Sequence, residues 1–492
     1  MATMIAVDLG AQSGRVVLGQ FDGERLEIED VHRFENVPVA TRGTLQWDVL
    51  RLYDDVVAGL RAAGREHEVD SVAVDSWAVD FGLLDHHGRL IQNPVHYRDA
   101  RRAAAVDSVL GRIPARELYE RTGIQLIPIN TVFELAAMAA QHDPALEIAD
   151  CLLLIPDLFH FWLAGTRSSE ATNASTTQCY DPRAEGWALD LLTRLGIPTS
   201  LLPEVVSAGS SLGVLAPDVA EKTGLGGARV IAGATHDTAA AVAAIPLRSP
   251  DAAYISAGTW SLVGLELSAP VIDDRTFAAN LTNEGGVAGR TRLLRNVTGL
   301  WLLNECRRQW CVSFDELLAE ARGAAPLRSL IDVDDPPFAV PGDMPNRVRE
   351  FCASSGQEVP ADRGAIARCI LESLALKHRR AVDLLSQATG TAPPVVHLVG
   401  GGARNELLAQ LTANALELPL VAGPVEATAI GNLVVQAMAL GELATLEEAR
   451  DVVARSFVQL TYEPADAEVW REARERFEQL VPLEAPTAEV RS

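Results

Sequence analysis

A local plan that occurs twice constrains this chain more than any single residue does. Ile5-Ala6-Val7-Asp8-Leu9-Gly10 is a short apolar run stopped by a Gly/Ser turn and resumed as Val16-Val17-Leu18-Gly19-Gln20-Phe21. In the second half Ala252 to Ser256, the Gly258-Thr259 turn and Ser261-Leu262-Val263-Gly264 repeat it. Short apolar runs bounded by glycine and hydroxyl residues read as buried strands joined by tight turns. Long helical patterns follow each pair, so the chain reads as α/β in two echoing halves.

Between these landmarks the run Leu26 to Phe34 completes a β-meander, and a helix is expected from Val49 to Ala63. Ser71 to Asp75 and Phe81 to Leu84 read as strands, and the middle third as mostly helical, most clearly at Thr131–Gln141 and Leu158–Leu163. A new cycle is expected to open at Val230-Ile231-Ala232-Gly233. Ile366 to Ala388 has the spacing of a long amphipathic helix, and Val395 to Val399 is a buried strand running into Gly400-Gly401-Gly402.

Composition narrows the partners. A formal net charge of −24 repels nucleic acid. Lys222 and Lys377 are the only lysines and no P-loop string occurs, so a bound triphosphate must rely on arginine, magnesium and backbone N–H groups. No apolar run is long enough to span a membrane and the start lacks a signal-peptide pattern, so a cytoplasmic protein is expected. The six cysteines are scattered without metal-site spacing and are read as reduced, buried thiols.

Five motifs carry candidate chemistry, each with a plain structural alternative. Asp8-Leu9-Gly10-Ala11-Gln12-Ser13-Gly14-Arg15 places a carboxylate before a small-residue turn that suits phosphate and a hydrated metal ion, or is simply a β-turn. In Gly233-Ala234-Thr235-His236-Asp237-Thr238 the aspartate can accept the proton of an attacking hydroxyl, or Asp237 or Thr238 caps a helix. Ala257-Gly258-Thr259-Trp260-Ser261 is a second phosphate clamp or a hairpin with an anchoring tryptophan. Gly400-Gly401-Gly402-Ala403-Arg404-Asn405 leaves bare backbone for adenine or phosphate, or only connects a strand to a helix. Asp75-Ser76-Trp77-Ala78-Val79-Asp80-Phe81, with Asn296, suits sugar binding, or Trp77 and Phe81 pack in a core.

Taken in order, these motifs resemble the FGGY family of carbohydrate kinases over essentially the whole chain. The resemblance rests on AVDLGAQSGR from Ala6, WAVDFGLLD from Trp77, YRDAR from Tyr97, RTGIQLIPINT from Arg121 and ATNASTTQ from Ala171. It continues in THDTAAAV from Thr235, SAGTWSLVG from Ser256, NLTNEGG from Asn280, NVTGLWLL from Asn296, LVGGGARN from Leu398 and AGPVEAT from Ala422. It implies two actin/hexokinase-like (ribonuclease H-like) α/β domains flanking a deep cleft, residues 1–245 and 246–481, with a frayed tail at 482–492. The implied partners are ATP, Mg2+ and a small-molecule ketose, with L-rhamnulose phosphorylated at O1 as the expected reaction. L-fuculose, L-ribulose or xylulose are alternatives, and a non-catalytic ATP-binding regulator is a further one. The resemblance makes Asp237 the catalytic base and puts Ala78, His236, Thr238 and Asn296 on the sugar. Ala11, Gln12, Ser13, Gly14, Arg15, Thr259, Asn304 and Gly402 fall on ATP, and Asp8 on the metal. Two positions depart from the pattern: Ala78 stands where glycine is common and adds a methyl to the sugar pocket, and Asn304 replaces a longer amide. A monomer or homodimer is expected.

Overall fold

The computed structural model describes residues 1–247 and 249–481, so the tail expected to fray, 482–492, lies outside the described residues. Its first sheet grows from Ala2–Leu9, in which every residue but Asp8 is buried. That strand pairs antiparallel with Ser13–Phe21 in unbroken register from Ala2↔Phe21 to Leu9↔Gly14, and Ser13–Phe21 pairs antiparallel with Leu26–Glu35. On its other side Ala2–Leu9 runs parallel to Ser71–Ser76, which runs parallel to Arg229–Ala232. Ser210–Val214 closes the edge of this six-stranded sheet.

The second sheet follows the same order. Ala253–Ala257 pairs antiparallel with Trp260–Leu267, and that strand with Thr291–Thr298. On the other side Ala253–Ala257 is parallel to Val396–Val399, Val396–Val399 is parallel to Leu420–Ala422, and Leu460–Tyr462 closes the edge antiparallel. Thr282–Gly285 adds a strand outside the shared pattern, giving seven. The echo in the sequence is therefore a duplicated sheet. One expectation is corrected: the Val230 run does not open the second half but hydrogen-bonds to Val72 as an inner strand of the first sheet. An apolar run reveals that a strand is buried but not which sheet buries it.

Both faces of each sheet are covered, which is why the strands read as continuous apolar runs. In the first, Ile5, Val7 and Leu9 pack with helices Val49–Gly64 and Ile155–Ala164, while Met4 and Ala6 face the opposite core with helix Ala427–Leu440. In the second, Ile255 and Leu398 meet the 27-residue helix Arg363–Thr389. Tyr254 and Val399 join the core around Ala427–Leu440 from that domain, so a helix of the second half is held between the two sheets. Polar bonds pin it there: the Gln436 amide donates to the Ile5 carbonyl at 3.0 Å and accepts from the Ser71 hydroxyl at 2.7 Å. Gly431 lets this helix touch Asp237–Ala243, since a Cβ at Gly431 would lie 1.7 Å from the Ala240 carbonyl oxygen.

The helical middle third forms an insertion between Ser71–Ser76 and Arg229–Ala232 with a core of its own, which includes Phe81, Leu118, Phe133 and Leu152. Among the described residues no helix is long and apolar enough to cross a membrane. Five of the cysteines are buried as expected, but Cys311 is exposed, at the left-handed C-cap of helix Trp301–Trp310.

Candidate active site

The strand ends of both sheets open on one cavity of about 720 Å³. Among the residues expected at the site, Asp8, Ala11, Gln12, Ser13, Arg15, Ala78, His236, Asp237, Thr238, Thr259, Asn296, Asn304 and Gly402 all line it. Gly14 does not, and its lack of a side chain has another cause: a Cβ there would fall 2.2 Å from the Phe34 ring. A wider cavity of about 1270 Å³ adjoins, sharing Gln12, Tyr97, Gln125, Thr259 and Asn296.

Asp237 is the first residue of helix Asp237–Ala243, and the N-cap position is taken by His236, not by Asp237 or Thr238. The loop before it is fastened twice. His236 forms a parallel bridge to Ser76, and buried Glu170 accepts from the Thr235 amide at 3.0 Å and its hydroxyl at 2.9 Å. Thr172 follows in the same chain segment and accepts from the His236 amide at 3.2 Å. Glu170 and Thr172, just before and within the ATNASTTQ stretch, thus serve as the clamp on the aspartate loop. Asp237 keeps 32% of its side chain open to the cleft. Burial above all, and then the neighbouring Asp8 carboxylate, push its pKa up to about 7. A carboxylate poised near neutrality is matched to accepting a proton from an alcohol.

The tautomer of His236 follows from its partners. Arg292, fully buried, approaches His236 Nδ1 at 3.0 Å, and a guanidinium can only donate. Nδ1 therefore accepts and Nε2 carries the hydrogen, 3.4 Å from Asp237 Oδ1. Burial and Arg292 hold the imidazole well below its usual pKa, so it stays neutral. Glu284 completes the group, 3.2 Å from Arg292 and 3.4 Å from His236 Nδ1. Thr238 donates its hydroxyl to Asp237 Oδ1 at 3.0 Å. These contacts fix the carboxylate from one side and leave the cleft side free.

Asp8 ends the first strand beside Arg15, whose Nε and NH2 meet Asp8 Oδ2 at 2.9 and 2.7 Å. Arg15 also pairs with Glu426. Its side chain is thus committed to carboxylates. Among the described residues no cluster of three His, Cys, Asp or Glu side chains could hold a metal by itself. The donor set fits magnesium of the kind that arrives with a nucleotide, held by one carboxylate, phosphate oxygens and water. The upward push of Asp8 on Asp237 is the repulsion such a cation would relieve.

The glycine turn has two functions. Gly400, at φ +79°, and Gly402 are dictated by packing, since their Cβ atoms would meet Ala257 at 3.0 and 2.5 Å. Gly401 has open space around its missing side chain and presents bare backbone to the cavity. Trp77 lines the cavity but turns its indole N–H to Asp80 at 2.9 Å, with the Trp47 ring tilted against it at 4.2 Å between centroids. Phe81 belongs to the core of the insertion, and Asp75 is fully buried and bonded to the Asn432 amide, so neither faces a sugar. Gln125, Glu284 and Arg292 were not legible as site residues. A lone arginine in an apolar strand gives no sign of an inward-facing partner, although RTGIQLIPINT and NLTNEGG had marked two of the three segments.

Two sheets of one topology, each presenting a small-residue turn to a shared cleft lined by Asp237, define a phosphotransferase of the actin/hexokinase-like class. Comparison with known proteins bears this out: the N-terminal domain model of the FGGY family of carbohydrate kinases matches residues 3–244 and its C-terminal domain model matches 253–440. The chain belongs to that family and is a carbohydrate kinase. Its relatives include a rhamnulokinase of Bacteroides thetaiotaomicron, 43% identical over 478 residues that cover 97% of this chain and 99% of that protein. Another is a rhamnulokinase of Halalkalibacterium halodurans, 38% identical over 94% of this chain and 99% of that protein. Solved structures of the same fold include a xylulose kinase from Lactobacillus acidophilus (TM-score 0.81, 17% identity, 98% of each chain). A glycerol kinase from Plasmodium falciparum with ADP also shares it (TM-score 0.76, 15% identity, 97% of this chain and 98% of that one).

Proposed function

We propose that this enzyme transfers the γ-phosphoryl group of ATP to O1 of L-rhamnulose, with Asp237 as general base. The substrate assignment is supported by the rhamnulokinase relatives that align over nearly the whole chain. The single observation that carries the mechanism is the Asp237 carboxylate, poised near neutrality and held on one side by His236 and Thr238. The sugar binds with O1 against Asp237, the O1–P bond forms as the bond from Pγ to the bridging oxygen breaks, and the O1 proton passes to Asp237. ADP leaves with the bridging oxygen. Asp8 would hold the magnesium ion that arrives with the nucleotide, which would supply charge neutralisation for the transferred group. Ala11 to Ser13 and Thr259 face the phosphates from opposite domains, and Asn304 and the Gly401–Gly402 backbone face the base of the nucleotide. Ala78 trims the sugar pocket by a methyl. Excluding water as the domains close suppresses ATP hydrolysis. The enzyme works in the cytoplasm, where ATP and free sugar meet.

ADP release with ATP and magnesium across L-rhamnulose, L-fuculose, L-ribulose, D-xylulose and glycerol tests the assignment. L-rhamnulose is expected to be strongly preferred, and preference for another ketose would move the substrate while leaving the mechanism. Asp237→Asn is expected to keep the fold and lower turnover ~10²–10⁴-fold. Near-normal turnover in that variant would remove Asp237 from its role.

A further inference from the structure

Gln125 lies in the RTGIQLIPINT segment of the first domain and reaches across the cleft to the second. Its side-chain amide meets the backbone N–H of Asn296 at 2.9 Å. A backbone N–H can only donate, so the atom it meets is the Gln125 oxygen, which settles the orientation of that amide. The Asn296 side-chain atom 3.2 Å from the same oxygen must then be its nitrogen. That side chain also bonds to the buried Glu284 carboxylate, again as donor. Two consequences follow from chemistry alone. The Asn296 nitrogen is engaged, leaving Oδ1 as the free acceptor. The Gln125 oxygen is engaged, leaving the Nε2 amide with its two hydrogens and no protein partner among the described residues.

Both residues line the cavity that holds Asp237. They are joined to the base through direct contacts, Asn296 to Glu284, Glu284 to His236 and His236 to Asp237. The Gln125 segment is rigid. Its backbone carbonyl accepts from the Asn130 side chain at 2.9 Å, that side chain also donates to Gln178 at 2.9 Å, and the Leu126 amide donates to Asn280 of the second domain at 2.9 Å. Gln125 itself is only 2% exposed, so the donor is pre-oriented and not a swinging surface group.

We infer that Gln125 is a specificity-determining residue that, paired with Asn296, reads two neighbouring hydroxyls of the sugar. One hydroxyl accepts from Gln125 Nε2 and the other donates to Asn296 Oδ1. This deepens the sugar-kinase reading above and rests on it. Because the pair spans the cleft, it is complete only when both domains are in place, which couples sugar binding to closure.

The test compares the full-length wild type with Gln125→Glu, which keeps shape and the acceptor for Asn296 but replaces the donor, and with Gln125→Met, which removes both. In each variant KM for L-rhamnulose is expected to rise ~10-fold or more while KM for ATP stays within about two-fold, with Tm little changed in Gln125→Glu. The Gln125→Glu effect should vanish on a deoxy analogue lacking the hydroxyl that Gln125 reads. An unchanged sugar KM in both variants, or an equal rise in KM for ATP, would overturn the inference and leave Gln125 as a structural strut. If the wild type prefers another ketose, the L-rhamnulose assignment fails while the same comparison on that ketose still decides the role of Gln125. A wild type that binds no ketose in a calorimetric titration would overturn both.

Discussion

At Asp237 the proposed function opposes stability. Its folded pKa of about 7 lies above the ~3.9 of an unfolded aspartate. Between those values the native state binds the extra proton, so stability falls as pH rises from about 4 to about 7. Asp237→Asn removes this penalty. The variant is expected to be more stable than wild type above pH 7, by on the order of 1–3 kcal/mol once solvent screening of a side chain 32% open is allowed for. The difference should close below about pH 4. Denaturant melts of both proteins at pH 5 and pH 8 check it, and an equal ΔΔG at the two values would show that Asp237 titrates normally. As the proposed base, Asp237 must be ionised to accept a proton, so kcat/KM of the wild type is expected to climb through the same range as pH rises.

At the scale of elements, the turn after Val396–Val399 separates packing from function within adjacent residues. Gly402→Ala would drive a methyl to 2.5 Å from the Ala257 Cβ, at the centre of the second sheet. It is expected to cost ~1–3 kcal/mol of stability, the range for overpacking a core, read as a loss of Tm. Gly401→Ala meets nothing within 4 Å and should leave Tm unchanged while raising KM for ATP, because its methyl covers backbone that faces the cavity. Equal behaviour of the two variants would mean that the turn is only a connection. The same logic explains Gly431, where the two central helices approach too closely for any side chain.

Across the whole molecule, two domains of one topology meet over a cleft, and Arg98 of the first domain reaches the second. Its guanidinium stands 4.5 Å from the Trp301 ring and 5.4 Å from the Trp260 ring of the second domain, and it donates to the Ala339 carbonyl at 3.3 Å. Such cation–π contacts are worth ~0.5–2 kcal/mol, enough to bias an open–closed equilibrium without deciding the fold. Arg98→Met is expected to widen the cleft on average. Small-angle scattering of the free enzyme should show a larger radius of gyration than wild type, and sugar and ATP should become weaker binders together. An unchanged scattering profile and unchanged KM values would remove Arg98 from domain closure.

Much of this was legible in the linear sequence, because the signals are local. Glycine turns and apolar runs placed the strands Ala2–Leu9, Ser13–Phe21, Ser71–Ser76, Ala253–Ala257, Trp260–Leu267 and Val396–Val399 and the helices Val49–Gly64 and Arg363–Thr389 to within a few residues, but not the strands Ser210–Val214, Thr282–Gly285 and Thr291–Thr298. The repeated strand–turn–strand announced a duplicated α/β chain, and the small-residue motifs pointed to the residues that now line one cavity. Tertiary structure alone decided the rest. It assigned the Val230 strand to the first sheet, gave Gly14 to Phe34 and two of the glycines at 400–402 to Ala257, and turned Asp75 away from the cleft. It also brought Arg292, Glu284, His236 and Asp237 together from distant strands and loops. A buried charge or amide carries no mark of its partner in the sequence. Its protonation, its orientation and its use are fixed only when folding supplies the group that must donate to it or accept from it.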